Sequence, residues 1–104
     1  MRQAFENRMV DRLRANFPDH GLTSDEPSLR SMIRQGIERA ATYDVVYEND
    51  VARYLDYMLI LSPDFDTNPE TSWAGRILRR QGLTGAQRMR RIDDVFVFSR
   101  KGCA

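Results

Sequence analysis

The stretch that decides the fold is YDVVYENDVARYLDYMLILSPDFDTNPETSWAGRIL, residues 43–78. Its first half predicts a helix that begins at a favourable cap near Asn49 and is stopped by Pro63. Apolar residues cover most sides of this helix, which is typical of a helix at the centre of a bundle. An acidic loop follows, and Asn68 before a proline then predicts the start of a further helix, which carries Trp73.

Helical periodicity extends outward from this stretch in both directions. Upstream, we expect a first helix with one apolar face to end at Pro18 and a second helix to begin after Ser24 or Asp25. Downstream, Thr84 and Gln87 form the pattern of a capping box at the start of a fifth helix. Each predicted helix is therefore bounded by its own start or stop signal.

The run Val95-Phe96-Val97-Phe98 is the one segment that could form a short strand instead of a helix. No second strand-like run offers it a partner, and an isolated strand is not stable in water. The chain has 104 residues, enough for one modest core and too few for two. We therefore predict an all-α fold, a single compact bundle of about five helices in one domain, 1–104.

Composition and targeting signals favour a cytoplasmic protein. The longest apolar run, Met58 to Leu61, is far shorter than the roughly 20 residues that a membrane span needs. The charged N-terminus has no apolar signal-peptide core. Cys103 is the only cysteine, so no internal disulfide can form. We expect no membrane association, although export by a route without a cleavable signal stays open.

Charge is unevenly distributed along the chain, although the net charge is only +1. Residues 43–70 contain seven acids against Arg53 alone, whereas residues 71–91 contain six arginines and no acid. One interpretation is that two neighbouring helices satisfy each other through complementary surfaces. The other is that one of the two patches is reserved for a partner of opposite charge.

No group of residues in the sequence fully matches the pattern of a catalytic or metal-binding site. Asp64, Asp66, Asn68 and Glu70 alternate as the first ligands of a calcium loop do, but the glycine and the bidentate glutamate that such a loop needs are missing. The only histidine, His20, has no second histidine to share a metal. We find no nucleophile elbow, phosphate loop or dinucleotide fingerprint. We therefore predict no enzyme, no cofactor and no metal, with carboxylate-only catalysis left open.

Aromatic and charged side chains near the middle of the chain suggest a protein interface. Tyrosine, tryptophan and arginine dominate interface hot spots. The candidate partner-binding residues are Tyr47, Tyr54, Tyr57, Asp64, Asp66, Arg76 and Arg80. Such residues can also form the core and its rim, and a homo-oligomer stays open. We expect Trp73, by contrast, to be largely buried against the third helix.

The arginine-rich segment offers nucleic acid as an alternative partner. A helix–turn–helix interpretation would place Gly82 in the turn and residues 84–98 in the recognition helix. However, the chain is not strongly basic, and its acidic block would repel a phosphate backbone. We therefore expect a protein partner in preference to nucleic acid.

A resemblance to known proteins covers roughly the middle half of the chain. The residues that carry it are Gly36, Ile37, Arg39, Ala40, Tyr43, Glu48, Asp50, Val51, Arg53, Tyr54, Met58, Asp64, Phe65, Asp66, Pro69, Trp73, Ala74, Ile77 and Leu78. The pattern resembles small helical proteins encoded beside the VgrG spike and PAAR tip proteins of type VI secretion loci in Gram-negative bacteria. The resemblance implies a non-enzymatic adaptor or chaperone that holds an effector or its PAAR-bearing region. It equally fits a cognate immunity protein of a secreted toxin, and it carries over no functional residues.

Overall fold

Five α-helices and two short 3₁₀ turns make up the structure. A computed structural model describes residues 2–102 of the chain and the side chains of residues 3–97. The helices are α1 (Arg2–Asn16), α2 (Glu26–Thr42), α3 (Glu48–Ile60), α4 (Ser72–Leu78) and α5 (Gly85–Gly102). The described residues contain no strand, so the predicted all-α bundle of about five helices is confirmed.

Helix α1 follows its sequence signals closely. It ends at Asn16, two residues before Pro18, because proline cannot continue a helix and restricts the residue before it. Phe5, Met9 and Leu13, spaced four apart, are all buried. Their burial packs α1 against α2 and α3.

Helix α2 begins directly after a 3₁₀ turn, Gly21–Ser24. The Nδ1 atom of His20 accepts a hydrogen bond from the Leu22 N–H at 3.1 Å, so the imidazole caps this turn. Asp25 occupies the N-cap position of α2, one of the two predicted starting points, and a proline lies in the first turn of the helix.

Helix α3 lies at the centre and contacts α1, α2 and α5. It begins at Glu48, one residue before the predicted cap, because Tyr47 supplies the extended N-cap residue. Tyr54 and Leu55 are fully buried, as expected for a helix that is apolar on most sides. The segment after α3 folds back on it, and the buried ring of Phe65 lies 4.8 Å from that of Tyr54, centroid to centroid.

The predicted start of the fourth helix proves to be a 3₁₀ turn, Pro69–Thr71. Asn68 caps it, because its Oδ1 atom accepts a hydrogen bond from the Glu70 N–H at 2.9 Å. The last residue of the turn, Thr71, has φ −119° and ψ 34°, outside the α-helical region. Helix α4 therefore begins at Ser72 and spans only seven residues.

The capping box at the start of α5 is confirmed atom by atom. The Gln87 N–H donates to Thr84 Oγ1 at 3.1 Å, and the Thr84 N–H donates to Gln87 Oε1 at 2.9 Å. Gly82, in the connection from α4, has φ 85°, a left-handed conformation that glycine adopts without steric cost. Residues 95–98 continue the α5 helix and form no strand, which agrees with the lack of any partner strand.

Apolar side chains from all five helices meet in one hydrophobic core. Helix α4 contributes Ala74 and Leu78 to it, and both are fully buried. Trp73 was expected to be largely buried against α3, but it is only partly buried and lies beside Val95 of α5. Adjacent residues of a helix point in different directions, so a helix that buries Ala74 places the Trp73 side chain at the edge of the hydrophobic core. Cys103 lies outside the described residues.

No helix in residues 2–102 combines the length and the apolar character that crossing a bilayer requires.

Candidate functional site

Helices α4 and α5 pack against each other and leave a groove along their outer side. Ala74, Leu78, Met89 and Ile92 are fully buried between these helices and the rest of the bundle. Because a helix has 3.6 residues per turn, burial of one side turns the opposite side of each helix to solvent. We call the surface between those outer sides the α4–α5 groove.

The floor of the α4–α5 groove is apolar. Trp73, Ile77, Leu83 and Val95 line it. Val95 is 36% exposed, and the other three side chains are partly buried. The larger end of the groove has a volume of about 630 Å³, within the range of about 300–1,000 Å³ that is common for ligand sites.

Four arginines border this floor, and none of them has a charged partner among the described residues. Arg76, Arg80, Arg90 and Arg91 are exposed and line the groove. In the described part of the chain, none of them lies within 4.0 Å of a carboxylate oxygen. Asp94 also lines the groove, but it too forms no ion pair there. The groove therefore combines an apolar floor with a positive rim.

The acidic and arginine-rich blocks do not satisfy each other, so that interpretation of the charge pattern is wrong. The acids of the central stretch pair mainly with arginines of α1, α2 and α3. Those pairs are Arg8–Glu48, Arg12–Asp56, Arg39–Asp66 and Arg53–Asp50. The physical reason is the central position of α3 and the segment after it, which brings their acids within reach of α1 and α2.

Two other arginines of the block hold the α4–α5 unit to the bundle through backbone carbonyls. Arg79 Nη1 donates to the carbonyl oxygen of Asp66 at 3.0 Å. Arg88 Nη1 donates to the carbonyl oxygen of Tyr43 at 2.5 Å, and its Nη2 donates to that of Arg80 at 3.0 Å. The six arginines thus divide into two whose side chains bond to backbone carbonyls and four that form no ion pair among the described residues.

A close backbone contact fixes the start of α5. A Cβ atom at Gly85 would lie 1.8 Å from the carbonyl oxygen of Asp44, so only glycine fits there. Asp44 itself has φ 63°, a conformation that aspartate tolerates better than most residues. Its Oδ2 atom accepts a hydrogen bond from the Gly85 N–H at 3.3 Å. These contacts fix the start of α5, one side of the groove, against the turn that contains Asp44.

Three of the seven candidate partner-binding residues are buried. Tyr54 is 0% exposed, Tyr57 6% and Asp66 1%, so these side chains are not available to a partner on the folded surface. Burial raises the pKa of both tyrosines. Tyr57 is satisfied internally, because its hydroxyl donates to Asp93 Oδ1 at 2.6 Å. These residues are part of the core and its rim, the alternative that the sequence left open.

Asp66 ties the end of α2 to the segment before α4. Its Oδ2 atom accepts hydrogen bonds from Arg39 Nη2 at 2.6 Å, from Arg39 Nε at 3.0 Å and from the Tyr43 hydroxyl at 2.7 Å. The hydrogen bond to this carboxylate raises the pKa of Arg39. Burial, followed by the bond to Asp66, raises the pKa of Tyr43. The role that the structure gives Asp66 is to hold two segments together.

The alternating acids of the predicted loop do not converge on a metal position. Asp64 points to solvent and accepts hydrogen bonds from Ser62 and Asn68, which lower the pKa of its carboxyl. Across the described residues, no three His, Cys, Asp or Glu side chains are grouped so that they could hold a metal ion. The absence of a cofactor and of enzymatic activity stays a prediction.

Tyr47 lies on a second exposed surface, away from the groove lining. It is 71% exposed, and its neighbour Val46 is 59% exposed. A shallow apolar cavity lined by Phe5, Ile37 and Val51 adjoins this loop. Of the seven candidates, therefore, Arg76 and Arg80 share the α4–α5 groove, and Tyr47 and Asp64 are exposed elsewhere.

Comparison of the chain with protein-family models, curated proteins and solved structures finds no match.

Proposed function

We propose that this chain is a non-enzymatic protein-binding module that works in the cytoplasm. The observation that carries the proposal is the α4–α5 groove, whose four bordering arginines have no acidic partner in the described part of the chain. Other arginines of the chain form ion pairs or hydrogen bonds within the bundle. Free arginines beside a partly buried tryptophan form the composition typical of interface hot spots.

The proposed role is that of an adaptor or chaperone for a type VI secretion effector, or for its PAAR or VgrG component. Its support is the resemblance in the middle half of the chain. An adaptor requires a pre-formed surface that binds its cargo, and it requires no catalytic residue. A helical bundle with one cationic, apolar groove meets that requirement.

A nucleic-acid-binding regulator is the second candidate. The observation in its favour is the four groove arginines, which form no ion pair within the described part of the chain. Arginine binds phosphate well, so this rim would suit a nucleic-acid backbone. The apolar floor argues for protein, because a phosphate backbone would leave Ile77, Leu83 and Val95 without a partner. The net charge of +1 also provides little general attraction for a polyanion.

Co-expression with the products of the flanking genes tests the proposal. We expect the chain to co-elute in size-exclusion chromatography with one of those proteins, at a fixed ratio measured by light scattering. An unrelated protein of similar size serves as the control. Failure of every flanking product to form a complex would contradict the proposed role as an adaptor or chaperone.

Deletion of the gene separates the adaptor from an immunity protein. Loss of an adaptor should reduce delivery of the effector, while the producing strain stays resistant to its own toxin. Self-intoxication of the deletion strain with normal delivery would identify an immunity protein instead.

Salt dependence separates protein from nucleic-acid binding. For nucleic acid, the logarithm of the affinity should fall by about one unit per phosphate contact for each tenfold rise in salt. Submicromolar binding to random duplex DNA at physiological salt, with that steep slope, would favour the regulator over the adaptor.

A further inference from the structure

We infer that the α4–α5 groove binds an acidic amphipathic helix of the partner protein. This inference rests on the proposed protein-binding function and names the chemistry of the segment that is bound. It follows from the charge of the rim, the apolar floor, the length of the groove and the way in which the two helices are held.

The charges at the rim call for a partner that carries carboxylates on two sides. Arg76 lies in the last turn of α4 and Arg80 two residues beyond its end, whereas Arg90 and Arg91 lie on α5. The arginines therefore border the groove from both helices. Arginine can pair with Asp or Glu through two parallel hydrogen bonds, which are among the stronger charge-assisted contacts.

The apolar floor requires that the partner also present apolar side chains. Trp73, Ile77 and Val95 share one continuous depression, because the two cavities along it have Ile77 and Val95 in common. A purely acidic or polyanionic ligand would cover the rim and leave this floor in contact with water. A helix with one apolar face and acidic flanks would satisfy the floor and the rim together.

The dimensions of the groove suit a short helix. From Gln87 to Val95, α5 rises by about 12 Å, at about 1.5 Å per residue. That distance corresponds to roughly two helical turns. The bound segment should therefore carry large apolar residues at positions i, i+3 or i+4, and i+7, with Asp or Glu beside them.

The groove is largely pre-formed. The Thr84–Gln87 capping box, the contact of Gly85 with Asp44 and the carbonyl bonds of Arg88 fix the start of α5. Binding then has to order only the arginine side chains and the partner helix. Such pre-organisation reduces the entropic cost of association.

A designed peptide tests the inference directly. The probe is a helix of about 14 residues with leucines on one face, glutamates beside them and no tryptophan. A lactam staple holds it helical, because unconstrained helices of about this length are marginal in water. Trp73 is the only tryptophan of the chain and lines the groove, so its fluorescence reports occupancy. We expect saturable binding that shifts the Trp73 emission.

Charge reversal on the protein locates the peptide. We expect Arg80→Glu with Arg91→Glu to weaken binding by at least about tenfold, which corresponds to about 1.4 kcal/mol. Arg8→Glu is the matched control, because Arg8 is 58% exposed and lies outside the groove; it should change the affinity little. A second peptide, with lysines in place of the glutamates, should restore binding to the double variant.

Several results would overturn the inference. These are unchanged binding by the double variant, an equal loss with Arg8→Glu, or no rescue by the lysine peptide. Concentration-dependent dimerisation that the double reversal abolishes would make the occupant a second copy of the chain. Tight duplex DNA binding at physiological salt that the same reversal abolishes would make it nucleic acid.

The inference and the proposed function can fail separately. If the complex with a flanking gene product survives the double reversal, the chain binds protein through another surface. If no flanking product binds while the acidic peptide still does so reversibly, the groove chemistry holds and the proposed role fails.

Discussion

Replacement of Asp66 with asparagine should destabilise the fold strongly. The side chain of Asp66 is fully buried, and its Oδ2 atom accepts two hydrogen bonds from Arg39 and one from Tyr43. Hydrogen bonds to a charged acceptor contribute about 1.5–3 kcal/mol each. Arg39 is 45% exposed, so water would recover part of that loss. The asparagine side chain would also retain one oxygen acceptor.

The expected net loss in the free energy of unfolding is about 2–4 kcal/mol, less than the sum of the three bonds because they are not additive. The other carboxylate oxygen, Asp66 Oδ1, is buried without a partner, and an amide nitrogen at that position would be a buried, unsatisfied donor. For a domain of this size, about 1 kcal/mol lowers the melting temperature by roughly 4–8 °C. Asp66→Asn should therefore melt at least about 8 °C below the wild type.

Thermal unfolding followed by circular dichroism, with urea unfolding as a second measure, tests this prediction. Asp64→Asn is the matched control, because Asp64 lies two residues earlier on the surface and should change stability by less than about 0.5 kcal/mol. Equal melting temperatures for the two variants would refute the argument that the Asp66 cluster holds the α3–α4 segment in place.

Substitutions at Glu6, Gly85 and Trp73 test the contacts of three further side chains or backbone positions. Hydrogen bonds from two arginines of α2 lower the pKa of the buried Glu6 carboxyl below 4.5. The stability that ionised Glu6 contributes is therefore complete above pH 4.5 and is lost as the pH falls through the lower pKa of the folded state. Glu6→Gln should flatten the acid side of a curve of stability against pH, and an unchanged curve would count against this. Gly85→Ala should lower the free energy of unfolding, measured by urea titration, by about 1–3 kcal/mol or more, because the new Cβ would clash with the Asp44 backbone. Gly21→Ala is the control and should be nearly neutral, because no atom lies within 4 Å of its added Cβ. Trp73→Ala should lower the free energy of unfolding by less than the roughly 3–5 kcal/mol that removal of a fully buried aromatic side chain costs. It should also weaken partner binding measured by calorimetry. An unfolded Trp73→Ala variant would instead show that Trp73 belongs to the core.

Local signals in the sequence predicted most of the secondary structure. Pro18 ends the first helix and the Thr84–Gln87 pair caps α5, because each effect acts within a few residues. The boundary of α4 was missed because a capped proline can open a 3₁₀ turn as readily as an α-helix.

The partners of the charged residues could not be predicted in this way. Arg53 contacts Asp93, and Arg39 contacts Asp66, because packing brings distant segments together, and helical periodicity does not reveal which helices pack against each other. The groove could not be predicted for the same reason. The sequence shows the block of arginines, but it does not show which of them form ion pairs or hydrogen bonds in the folded protein. The burial of Tyr54, by contrast, does have a signal in the sequence, because a helix that is apolar on most sides is expected to bury its tyrosines.

Chemical-shift mapping by nuclear magnetic resonance with the co-eluting flanking protein is the most direct test of the account. If the partner binds in the α4–α5 groove, the largest shifts should occur at the Trp73 indole N–H and at the amides of Ile77, Arg80 and Val95. Shifts concentrated at Val46 and Tyr47, with the Trp73 indole unmoved, would contradict it.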